Sequence, residues 1–219
     1  MQLSFIVLNA IHTMTKIIVA LTVIVSLIGF TNHRLNSQLI FNPYVTRVRK
    51  EWYRFFSCSL LHADFLHLGV NMWVLFSFGQ SLEYYYAAYF SSKASFMFIL
   101  LYVSSVVAAN ISTYIKHNNN PSYNSLGASG GVSAIVFASI LFDPLTKIIL
   151  FPIPFPIPLI VFGIGYLIYS WWMGKRSTGD NINHEAHFYG SVQGIVFTLV
   201  FKPEIGRDFL VHLGILQSP

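Results

Sequence analysis

The sequence predicts an all-α, polytopic membrane protein, with six transmembrane helices in a single domain and a folded first loop resting on the bilayer surface. Three observations predict it. Hydrophobic residues make up 54% of the 219-residue chain and charged residues only 10%, and mean hydropathy is +0.59, far from the composition of soluble domains. Uncharged apolar runs close to the length of a membrane crossing recur six times. The polar stretches between them hold the aromatic and cationic residues that suit the headgroup layer. The net charge of +5 comes from cations flanking the apolar runs, which makes the lipid bilayer the partner and leaves no nucleic-acid module. A single cysteine, Cys58, excludes an intramolecular disulfide framework and reads as a small buried apolar residue.

Residues 1–16 mix apolar and polar side chains and read as an interfacial segment. No cation precedes Lys16 and no small-residue cleavage site follows the next run, which argues against a signal peptide. The core spans about 17–202, and 203–219 form a tail. The first crossing is residues 17–30, widened to 13–31 by its threonines. Loop one, 32–64, carries Arg34, Arg47, Arg49, Lys50 and Arg54 beside Trp52, Tyr53, Phe55 and Phe56, an aromatic density that predicts short interfacial helices in place of disorder. The second crossing covers 65–82 and ends at Glu83, with Tyr84, Tyr85, Tyr86 and Tyr89 as an interfacial belt.

A third run follows at 94–115, and the solvated loop 116–124 leads to a short fourth run at 126–142, stopped by Asp143-Pro144. Four prolines at alternate positions, Pro152 to Pro158, forbid helix and predict an extended interfacial segment. The fifth run is 158–173, with Trp171 and Trp172 at its far interface. A polar, glycine-containing loop over 174–185 reads as mobile. The sixth run is 186–201.

Six crossings put loops one, three and five on one side, and that parity gathers the chemistry. His62, His67 and Asn71 follow loop one, Ser129 follows loop three, and His184 and His187 follow loop five. His67 and Asn71 are four apart and share a helical face, and amide and imidazole groups facing lipid would be costly, so that face looks inward. Ser129 is then a candidate nucleophile, His187 or His184 the base that removes its proton, and His67 with Asn71, plus backbone N–H groups, donors to an oxyanion. Gly190 and Gly194 continue the face that His187 opens, and Gly127, Gly130 and Gly131 offer a matching surface, so two helices can approach until hydroxyl meets imidazole. None of the eight acids lies inside a run to orient the histidine, which favours a Ser-His dyad over a triad.

These residues resemble the rhomboid intramembrane serine proteases. Gly127-Ala128-Ser129-Gly130 is similar to the family's G-x-S-G motif, His187-Phe188-Tyr189-Gly190 with Gly194 to H-x-x-G-x-x-x-G, and His62, His67 and Asn71 to H-x-x-x-x-H-x-x-x-N. The resemblance implies Ser129 as nucleophile, His187 as base, His67 and Asn71 at the oxyanion site and His62 as a shaping residue. Arg54 resembles the arginine of a loop-one W-R motif, though Tyr53 stands where tryptophan is usual, and Glu83 resembles a structural glutamate. The implied substrates are transmembrane proteins, cut near the membrane surface without metal or organic cofactor. The implied place is a bacterial inner membrane with the site opening to the extracytoplasmic side. The Lys and Arg distribution points the other way, since loops one, three and five hold more cations than the opposite side.

Two rival readings remain open. A zinc site built from His62, His67, His184 and His187 would use ready metal ligands, although His184-Glu185-Ala186-His187 lacks the spacing of H-E-x-x-H. A catalytically inactive, client-binding relative would be expected to lack the serine or the histidine.

Overall fold

A computed structural model describes residues 13–150, 154–176 and 182–217. Residues 1–12 of the expected interfacial segment 1–16, part of the proline run and the centre of loop five lie outside them. The described chain is mostly helical. Helix α1 is Thr13–Thr31, followed in loop one by α2 (His33–Leu39), α3 (Pro43–Arg49), α4 (Arg54–Ser57) and a 3-10 turn at Cys58–Leu60. Helices α5 (Phe65–Phe90) and α6 (Ala94–His117) are joined by a 3-10 turn, and α7 is Ser129–Phe142. A two-residue antiparallel pair, β1 (Lys147–Ile148) with β2 (Ile157–Pro158), precedes α8 (Leu159–Gly174). Helices α9 (His184–Phe201) and α10 (Glu204–His212) complete the order.

The protein is an integral membrane protein, but its helices are unequal. Among the described residues two stretches, Thr13–Thr31 and Phe65–His117, are long and apolar enough to cross a membrane, whereas Ser129–Phe142 and Leu159–Gly174 are apolar and shorter. Six full-length crossings are therefore not what length and hydropathy give. Helix α7 sits at the centre, with every residue from Gly130 to Phe142 buried, packed between α5, α6 and α9. At 14 residues it is about 21 Å long, short of a hydrocarbon core about 30 Å thick.

Local chemistry accounts for the helix starts. Asn32, Asn42, Asp64 and Asn183 each accept a backbone N–H from the first turn of α2, α3, α5 and α9, the favoured N-cap arrangement. Loop one is folded, as its aromatic density predicts. Arg54 is its tie: its guanidinium pairs with Glu51 at 2.6 Å and donates to the Ser37 and Ile40 carbonyls at 2.8 Å each. Tyr53, where the resemblance would place tryptophan, reaches Gln38 O at 3.1 Å through its hydroxyl.

Two expectations need correction. Glu83 does not end a helix: α5 runs on to Phe90, and Glu83, buried, accepts the N–H groups of Met14 and Thr15 at 3.1 and 2.7 Å. Its place in the sequence is mid-helix because its partner is the first turn of α1, whose orphan donors it satisfies. Tyr86, assigned to an interfacial belt, is fully buried and hydrogen-bonded to Thr198 at 3.0 Å. The end of the proline run is extended, as expected, and it is also paired: Ile157 and Pro158 lie against β1, and the N–H groups of Leu159 and Ile160 return to Thr146 and Pro144 carbonyls at 2.8 and 2.9 Å.

Candidate active site

Three chain segments meet at the start of α7. The first is the turn before it. Gly127 adopts φ +123°, a conformation that side-chain-bearing residues rarely take. A Cβ placed there would lie 2.9 Å from His67 Cε1, 3.1 Å from His67 Nε2 and 3.9 Å from Ser129 Oγ. His67 and Ser129 thus flank one glycine, and α7 begins at Ser129, not at 126, because the chain first makes this turn. Gly127 is committed to His67 and not to the α9 glycines.

The second segment is α9. A Cβ on Gly190 would be 2.2 Å from Gly130 O, and one on Gly194 would be 2.3 Å from Ala134 O. The two backbones touch at both points, which the glycines on α9 permit. Gly130 has the partner expected of it, but Gly194 meets Ala134, and Gly131 faces Tyr102 and Val106 of α6. His187 lies on the same α9 face, one turn inside the helix. No hydrogen bond joins Ser129 to His187 among the described residues. Catalytic hydrogen bonds often close only when substrate is bound.

The third segment is the chain entering α5. His62 is 2% exposed and sits edge-on to His67, ring centroids 4.9 Å apart. Ser26 Oγ donates to Leu60 O at 2.8 Å and lies 3.0 Å from His62 Nδ1. With its proton so used, Ser26 must accept from Nδ1–H, which leaves Nε2 free to accept the Ala128 N–H at 3.4 Å. The network therefore assigns His62 a neutral form that pins the residue before Ser129. Burial, with the His67 ring adding to it and Asp64 opposing, pushes the His62 imidazole down to about 3. Both its nitrogens are occupied within the protein, so it has no free donor for a metal. Asn71, buried, donates to the His67 carbonyl at 2.9 Å.

Helix α7 differs from the Asx-capped helices at its N-terminus. Its N-cap is Ala128, and no side chain accepts from its first turn. Ala128 N–H goes to His62 and Gly127 N–H to Cys58 O at 3.0 Å. Among the described residues the N–H groups of Ser129, Gly130 and Gly131 have no partner, and at the positive end of the helix they are a donor set suited to an oxyanion.

The sequence from residue 49 to residue 204 matches the Rhomboid domain family. The chain belongs to the rhomboid family. It is 30% identical over 141 residues to Rhomboid protein 1, mitochondrial, of Saccharomyces cerevisiae, a match covering 62% of this chain and 38% of that protein. It is also 34% identical over 82 residues to "Putative rhomboid protease YdcA" of Bacillus subtilis, 37% of either chain. Well under half of each relative's length is thus matched.

Within this rhomboid domain, two contributors to the site escaped sequence reasoning. Tyr166 of α8 stacks on the His187 ring, centroids 6.3 Å apart and planes 21° from parallel, and its hydroxyl lies 3.3 Å from Ser133 Oγ, one turn below Ser129. Ser26, in the middle of an apolar run, sets the His62 tautomer. Neither has a local sequence signal, since each partner comes from another helix. His184, expected at a loop edge, opens α9 and is 4% exposed, with its ring edge-on to Tyr169 and His187.

Proposed function

We propose that this rhomboid-family protein is an intramembrane serine endopeptidase that hydrolyses peptide bonds in or next to transmembrane segments of protein substrates. The observation that carries the reading is the backbone contact of α7 with α9 at Gly130 and Gly190, beside Ser129 and His187. In this reading Ser129 Oγ attacks the scissile carbonyl as His187 takes its proton. The oxyanion forms against the uncapped α7 N–H groups, His67 and Asn71. Collapse expels the amine, which receives the proton from His187 and leaves an acyl-serine. Water, deprotonated by His187, then attacks the ester and frees the carboxylic acid and Ser129. No metal or organic cofactor enters the scheme.

A six-crossing bundle, with α7 and α8 as its short members, would set Ser129 below the membrane surface at the head of a helix too short to fill the bilayer. Water could then reach it from loop three. We take the site to open to the extracytoplasmic side of a bacterial inner membrane. Two cations that weigh against this have structural partners, Arg54 with Glu51 and Lys116 with Glu185, so they report folding more than topology. Protease protection of a tag in loop one would decide the side.

The deciding experiment is cleavage of a transmembrane substrate by purified protein beside Ser129→Ala and His187→Ala. Both substitutions are expected to abolish turnover without unfolding the protein, while His184→Ala is milder. Full activity in either of the first two would sink the dyad. An inactive client-binding protein would show no Ser129-dependent turnover at all.

A further inference from the structure

We propose that Asn183 is a positioning residue that fixes the distance between base and nucleophile, a role that rests on the Ser129/His187 reading above. Four hydrogen bonds converge on this one residue. Its Oδ1 accepts the Ala186 N–H at 3.0 Å and so starts α9. Its backbone carbonyl accepts the N–H of His187 itself at 3.3 Å. Its Nδ2 donates to Thr113 Oγ1 at 2.8 Å and to Ser125 Oγ at 3.3 Å. Both amide hydrogens and the carbonyl oxygen are used, and three parts of the chain are joined: the first turn of α9, the buried Thr113 of α6, and the segment at Ser125 that leads from loop three to α7.

The placement is reciprocal. Asn183 lies four residues before His187, and Ser125 four residues before Ser129. Each short lever is rigid. Ser125 is bridged to Phe41 by a pair of backbone hydrogen bonds of 3.0 and 2.9 Å, and the turn after it is held by Gly127 N–H to Cys58 O at 3.0 Å. On the other side, the α9 helix itself connects the cap to His187. The glycine contacts set how closely α7 and α9 approach, but they leave sliding along the helix axis free. The Asn183 side chain opposes that sliding, because its donors reach elements that do not belong to α9.

Asn183→Ser separates the two functions of the side chain. Serine keeps a capping oxygen on its own helix but is too short to reach Thr113 and Ser125. Purified protein would be assayed for cleavage of a transmembrane substrate, for the rate at which a fluorophosphonate labels Ser129, and for thermal unfolding. Asn183→Ser is expected to lower kcat about 10- to 100-fold, the scale of a misplacement approaching 1 Å. KM should stay within about twofold, and labelling should slow in parallel. Ser125→Ala, which leaves the Phe41 bridge intact, should lower kcat in the same direction and add nothing to Asn183→Ser in the double variant. Asn183→Asp should recover most activity, because the Thr113 and Ser125 hydroxyls can turn to donate to it.

A Ser129-dependent enzyme whose kcat ignores Asn183→Ser and Ser125→Ala overturns this role alone. So does a loss that follows unfolding and leaves the labelling rate of the folded fraction unchanged, or losses that simply add. If Asn183→Ser does not fold, wild-type turnover in Ser125→Ala overturns it. Cleavage that survives Ser129→Ala overturns the dyad and this role with it.

Discussion

Gly190→Ala tests whether backbone contact between α7 and α9 holds the site together. The added Cβ would sit 2.2 Å from Gly130 O and 2.9 Å from both Gly130 C and Cα. All three are main-chain atoms, so no side-chain rotation relieves the clash. Ordinary carbon contacts need about 3.5 Å, so the helices must part by roughly 1 Å. Overpacking of this kind costs about 1–3 kcal/mol, and the better helix propensity of alanine returns at most about 1 kcal/mol. The net expectation is a protein destabilised by about 1–2 kcal/mol. Activity should fall further, about 100-fold in kcat, since reacting groups displaced by 1 Å lose that much. The control is Gly69→Ala on α5, where a Cβ would meet nothing within 4 Å, and which should be neutral or slightly stabilising. Thermal unfolding in detergent and turnover of a transmembrane substrate measure both. Wild-type turnover and stability in Gly190→Ala would refute the reasoning.

His67→Ala is expected to reduce kcat about 100- to 1,000-fold with little change in KM, as loss of one oxyanion donor does; an effect confined to KM would argue against that role. Asn71→Ala should act in the same sense, since it supports the His67 turn. For His62 the expectation concerns pH. Unfolded, this imidazole protonates near 6.5, but folded only near 3, so the unfolded state binds the extra proton between those values. Its contribution to stability is full above about pH 6.5 and is lost as pH falls towards 3. Unfolding midpoints at pH 4 and 7 should diverge less in His62→Gln than in the wild type, and an unchanged difference would contradict the buried neutral imidazole.

What the sequence made legible was whatever repeats at short range. The spacing of His67 and Asn71, the glycines at 190 and 194, and the uncharged run ended by Asp143-Pro144 each depend on one helix, and periodicity reports them. Gly127 was visible as a small residue, but its positive φ, and hence the true start of α7 at Ser129, came only with the structure. Interactions across large sequence separations were not legible. Glu83 answers Met14 and Thr15 at the start of α1, so nothing beside it in the chain could say that α5 continues past it. Tyr84 to Tyr89 mimic an interfacial belt by composition, yet Tyr86 points to Thr198 of α9. The asparagine at 183 was read as loop composition because its cap is local but its two donors serve α6 and loop three. Parity of the six expected crossings grouped the polar clusters on one side without saying which atoms meet.

The proposed dyad has a base without a carboxylate, and Glu185 is the residue that could undo it. It lies two positions before His187, on the first turn of α9. Its carboxylate, however, is paired with Lys116 at the end of α6, Oε1 to Nζ 3.0 Å, and its Cγ packs at Gly174, where a Cβ would meet it at 2.8 Å. Among the described residues the His187 ring is instead bounded by Tyr166 and His184, and in the proposed dyad that packing orients it. Glu185→Gln should therefore leave kcat within about twofold and cost at most about 1 kcal/mol, the range of an exposed pair. If a carboxylate did orient the base, its amide replacement would lower kcat by about 10,000-fold, as loss of the triad acid does. Two outcomes four orders of magnitude apart can be told from a single progress curve, and a collapse in Glu185→Gln with the fold intact would replace the dyad with a triad.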